Sequence, residues 1–122
     1  LGLLWSKRGI NAPGLVVETR GEGEQQWTSV FTAAVGLPAP LWRGLAEFAG
    51  AHVYTSNNDV IMADRYLVAL HTVHSGKKTI DLPEPARVIN VITGEEVAAR
   101  TQRIEVTVEA PATVVYRLIP AE

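Results

Sequence analysis

The 122-residue chain contains no cysteine, so disulfides and thiolate metal sites are closed to it, while its compartment stays open. No apolar run approaches the roughly 20 residues that a membrane-spanning helix needs. The apolar opening at 1–5 is also too short to be the core of a signal peptide. Basic clusters are missing as well. The longest are the pairs Lys7-Arg8 and Lys77-Lys78, in a balance of 11 Lys and Arg against 13 Asp and Glu. A net charge of −2 without a basic stripe argues against a nucleic-acid partner. There is no phosphate loop either: Gly21-Glu22-Gly23 sits between strands, and its acid would repel phosphate.

What is present is ordinary for a soluble globular protein, with 47% hydrophobic and 20% charged residues. A chain of this length makes one domain, or a small domain carrying the end of another, and buries about two thirds of its unfolded surface. It opens on Leu1 and an apolar segment rather than on Met, and it reads as a piece of a longer polypeptide.

Helical periodicity is scarce too. It occurs once, at 40–49, where Leu41, Leu45 and Phe48 fall at i, i+4 and i+7, Trp42, Ala46 and Ala49 widen the stripe, and Arg43 and Glu47 lie opposite. Pro38 and Pro40 suit a helix start, and Gly50 suits its C-terminal cap. Gly44 costs such a helix about 1 kcal/mol relative to Ala. A helix this short is marginal alone, so packing must hold it.

Elsewhere the pattern is that of strands. Residues 15–19 and 26–32 read as a hairpin around the turn at 21–24, with Trp27, Ser29 and Phe31 on one face. Further strands are expected at 60–63, 66–73, 77–82, 87–92, 96–99, 103–108 and 112–118, and one is possible at 1–5. They are separated by turn chemistry at 11–14, 56–59, 75–76, 83–85, 93–95 and 110–111. In 77–82, Ile80 and Leu82 point one way and Lys77, Thr79 and Asp81 the other; in 103–108, Ile104, Val106 and Val108 point inward. Turn signals about every 8 to 12 residues point to a sandwich. The expected fold is therefore mainly β (α+β): an antiparallel β-sandwich with one packed helix at about 40–49.

The order of these segments resembles a known family. Trp27-Thr28-Ser29-Val30-Phe31, the helix at 40–49, Gly50-Ala51-His52-Val53-Tyr54, Asp59-Val60-Ile61-Met62-Ala63 and Leu67-Val68-Ala69-Leu70-His71 follow one another as they do near the C-terminus of β-galactosidase-like glycoside hydrolases. Lys78-Thr79-Ile80-Asp81-Leu82-Pro83 and Val91-Ile92-Thr93-Gly94-Glu95 are similar to the closing β-sandwich of many such enzymes. The resemblance covers roughly residues 15–118. It implies that residues 1–51 are a strand-strand-helix remnant of a preceding α/β, amidotransferase-like domain, and residues 52–122 the C-terminal antiparallel β-sandwich. On that reading 38–54 is a boundary, with the helix packed on the leading strands near Val16, Val30 or Phe31.

The family's catalytic carboxylates lie in an upstream barrel that this chain lacks, so the resemblance carries over no catalytic residue. The expected role is non-catalytic: a structural or interaction module whose partners are the upstream catalytic domain or subunits of the same protein, with a homo-oligomer open.

The residues themselves support little chemistry. His71 and His74 lie three apart on an expected strand, which puts them on opposite faces, and a zinc site would need His52 and distant carboxylates. Asn57, Asn58 and Asp59 lack the ligand spacing of a calcium loop and read as a turn. Asp59 and Asp64 could form an acid/base pair but read better as solvated loop charges. Ser29, Ser56 and Ser75 have no base tied to them. No catalytic, metal or cofactor site is therefore expected. Carbohydrate binding is the alternative function, since flat aromatic faces stack on sugars. Trp27 and Trp42 read as core, which leaves Trp5, beside Lys7 and Arg8, as the candidate sugar-binding residue.

Overall fold

The computed structural model describes residues 2–5 and 11–120, with side chains from 14 to 120. The chain divides into two compact units, residues 1–38 and 39–122. The helix thus groups with the strands that follow it, whereas the expected break lay after the helix, at 51.

The leading unit is a three-stranded antiparallel sheet in the order β1-β2-β3, built from Gly2–Trp5, Asn11–Arg20 and Trp27–Thr32. The expected hairpin is there: β2 and β3 pair from Leu15↔Thr32 to Arg20↔Trp27. A turn was expected at 11–14, yet Asn11 to Gly14 belong to β2. The ladder to β3 begins only at Leu15. Pro13 therefore sits where one side of the strand is unpaired, which is where a sheet tolerates proline.

The second unit opens with α1, Ala39–Phe48. Its end is a glycine cap as expected: Gly50 has φ +74°, and the N–H groups of Gly50 and Ala51 donate to Glu47 O and Ala46 O at 3.0 and 2.9 Å. Five antiparallel strands follow, namely β4 Val60–Ala63, β5 Leu67–Thr72, β6 Gly76–Asn90, β7 Glu96–Val108 and β8 Ala112–Pro120. They form one sheet in the order β4-β5-β8-β6-β7. With two antiparallel sheets and a single α-helix among the described residues, the fold is mainly β, of α+β character.

Two pairs of short strands expected at 77–82 with 87–92, and 96–99 with 103–108, are instead two long strands. Pro83-Glu84-Pro85 makes an irregularity rather than an end: pairing jumps from Asp81↔Arg103 to Ala86↔Thr101. The Gln102 amide fills the gap by donating to Pro83 O at 3.1 Å.

Ile80 and Leu82 before this irregularity and Ala86 and Val88 after it are in phase along β6 and share one core with Ile104 from β7, and with Val68, Leu70, Tyr116 and Leu118 from β5 and β8. Both halves of β6 thus contribute to a single core. Each large apolar side chain buried there is worth about 1.5–3 kcal/mol.

Candidate functional site

Candidate groups gather in three places, the first being the leading sheet. Alternation along the β2–β3 ladder puts Val16 with Phe31, Glu18 with Ser29 and Arg20 with Trp27 on one face, and Leu15 with Thr32, Val17 with Val30 and Thr19 with Thr28 on the other. Trp27 and Phe31 were expected to be buried by sharing a face. They are 54% and 64% exposed, and Val16, Val17 and Val30 are exposed too. Alternation places residues on a common face, but something must lie over that face before they are buried. The Arg20 guanidinium lies 5.9 Å from the Trp27 ring centroid and bridges to Glu18 at 2.9 Å. The Thr19 and Thr28 hydroxyls meet at 3.0 Å.

The second place is a groove of about 610 Å³ between α1 and residues 52–61. From the helix it takes Trp42, Arg43 and two alanines. The helix buries none of its residues: Leu41 and Leu45 are half-buried, while Phe48 and Trp42 are exposed, Trp42 by 58%. Trp42 is thus not the core residue that its place beside the apolar stripe suggested.

The opposite wall is held by the backbone. Tyr54 O accepts the Asp81 N–H at 2.7 Å, and His52 Nε2 stands 2.8 Å from Asp81 O. A carbonyl only accepts, so His52 donates here from Nε2, the tautomer in which Nδ1 is the acceptor. The ring meets Tyr54 edge to face at 4.6 Å. Across the groove Arg43 Nη2 donates to Asn57 O at 3.1 Å and Asn58 Oδ1 at 2.7 Å.

Behind this groove lies the third feature, a buried ion pair that contradicts the reading of Asp59 as a solvated loop charge. Its side chain is 4% exposed, and Oδ2 lies 2.9 Å from Lys78 Nζ, itself 8% exposed. Thr72 Oγ1 donates to Asp59 Oδ1 at 2.6 Å and accepts the His74 N–H at 3.1 Å. Lys78 answers Oδ2 as an ion pair, and among the described residues no hydrogen bond reaches that oxygen. Burial pushes the carboxyl up, but the Thr72 hydroxyl, the Lys78 ammonium and the nearby His74 outweigh it and hold Asp59 below its ordinary value.

The signal was in the sequence: Lys78 is in phase with Ile80 and Leu82, so it points inward and needs a counter-charge. Asp64 is exposed, as expected of a loop charge, and its Oδ1 accepts the N–H groups of Tyr66 and Leu67 at 2.7 and 2.8 Å. The structure does not pair it with Asp59.

The other candidates stay apart. His71 Nδ1 meets Thr113 Oγ1 at 2.8 Å on an exposed part of the sheet. Among the described residues no three His, Asp or Glu side chains gather as metal ligands. Trp5 pairs with Asn11 through its backbone in β1, and its side chain lies outside the described residues. No family model, curated protein or solved structure matches the chain.

Proposed function

We propose that the chain is a non-catalytic structural and interaction module, the C-terminal part of a glycoside-hydrolase-like protein, which stabilises neighbouring domains or subunit contacts. One observation carries this reading. The leading sheet shows apolar side chains on both faces, Val16, Phe31 and Trp27 on one and Val17 and Val30 on the other. Antiparallel sheets commonly leave one face to water and pack the other. Contiguous apolar patches of this kind mark contacts with other protein surfaces. The occupant is the polypeptide encoded directly upstream in the same gene, as the resemblance to the closing part of these enzymes suggests.

The non-catalytic part of the reading is supported by how the carboxylates are used. Asp59 is committed to Lys78 and Thr72, and Asp64 Oδ1 to its own turn.

The test is hydrogen exchange on the isolated chain and on the same chain joined to its upstream polypeptide. Residues 15–32 should exchange fast alone and become protected when joined. Unchanged exchange there, or the lack of any upstream domain in the gene, would sink the proposal.

A further inference from the structure

The groove between α1 and residues 52–61 holds binding capacity that the fold does not use. Arg43 spends Nη2 on Asn57 and Asn58, which orients the guanidinium, while its remaining N–H groups have no partner among the described residues. Among the described residues no carboxylate pairs with Arg43, and the one acid that lines the groove, Asp59, is neutralised by Lys78 behind it. The lining is therefore net positive. Beside Arg43 the Trp42 ring is open to solvent. Around them Asn58 keeps its amide donors, since its Oδ1 takes the Arg43 bond, and His52 keeps Nδ1 as an acceptor.

We infer that this groove binds a pyranose sugar carrying a carboxylate, a hexuronate unit, with Trp42 as the stacking face and Arg43 as the partner of the carboxylate. The charge decides against a cationic ligand, and a guanidinium offers a carboxylate two parallel N–H bonds. A flat aromatic ring takes the C–H face of a pyranose while its hydroxyls stay partly hydrated, which suits an open groove. Those hydroxyls both donate and accept, matching the mixed set of Asn58 and His52. A bare inorganic anion would leave Trp42 unused, and an apolar peptide would leave Arg43 unpaired. The site is built from residues of the second unit and the docking surface from residues of the first, so its failure leaves the docking proposal standing.

The experiment is a calorimetric titration of the whole chain with trigalacturonate, galactose and acetate at matched ionic strength, with the NMR signal of the Trp42 indole N–H reporting the site in the parent chain and in Arg43→Gln. A saturable shift with trigalacturonate is expected, at least about tenfold tighter than with galactose. Trp42→Ala and Arg43→Gln should each weaken it by about tenfold or more with the melting temperature little changed. No saturable response, an equal response to galactose or acetate, or binding that survives both substitutions overturns the inference. Trp42 is exposed, so loss of fold does not confound its variant. A folded control comes from Phe31→Ser, which should bind as the parent does.

Discussion

The two units spend similar apolar residues in opposite ways. In the second, Val68, Leu70, Ile80, Leu82, Val88 and Ile104 are 0–2% exposed and pack into one core. In the first, Val16 and Phe31 on one face and Val17 and Val30 on the other line a regular ladder and stay exposed. Apolar residues make a strand in either case, but only those that other side chains cover make a core. The contrast separates residues that hold this chain together from residues available to hold it to something else.

The strongest way to break the contrast is to remove Lys78. Lys78→Met leaves a buried carboxylate with no counter-charge, which costs about 3–5 kcal/mol. Replacing both partners, as Asp59→Leu with Lys78→Met, should recover most of that loss, because an apolar pair of similar volume avoids the desolvation penalty. Urea unfolding of the single and double variants measures this, and a double variant as weak as the single would refute it. Next comes Leu70→Ala, expected to cost about 2–5 kcal/mol through lost burial and a residual cavity. The same truncation at Val17, half-exposed in the other unit, should cost far less.

Acid probes the same pair. Asp59 is held below the ordinary carboxylate value, so its folded form binds fewer protons than its unfolded form as pH falls. The stability that it contributes is complete above the unfolded carboxylate pKa and is lost as pH drops through the lower, folded value. Urea midpoints should fall across that window for the native chain and change less in the double variant. Equal slopes would show that the pair is not what acid disrupts.

Much of the fold was legible. The helix at 40–49, its Gly50 cap and the hairpin of β2 and β3 follow from local periodicity and turn chemistry, which act within a few residues. What failed depends on distant partners. Pro83-Glu84-Pro85 looked like a strand end, because local rules do not show Gln102 donating to Pro83 O across the irregularity. Asp59 looked solvated, because its partners Thr72 and Lys78 arrive from two later strands. Trp27 reads as core because it shares a strand face with Phe31, and Trp42 because it sits beside the helix's apolar stripe, but exposure depends on which elements lie over them. The groove was invisible for the same reason, since Arg43 meets Asn57 and Asn58 only after the chain has turned at Gly50.

That turn supplies a smaller test. Gly50→Ala keeps the space around the site, where an added Cβ meets nothing within 4 Å, but forces an L residue to φ +74°. The expected loss is about 1–2 kcal/mol, confined to strain.

The smallest effect on stability should come from Phe31→Ser, and it sharpens the comparison most. The side chain is 64% exposed and adds little to the fold of the isolated chain, so the urea midpoint should move by no more than about 0.5 kcal/mol equivalent. Binding of a dye that reports exposed apolar surface should drop, and protection by the upstream polypeptide should fall on β2 and β3 together, because Phe31 and Val16 face each other across the ladder. A large loss of stability would mean that Phe31 holds the unit itself, and the distinction between holding and docking residues would collapse at the position where it is cleanest.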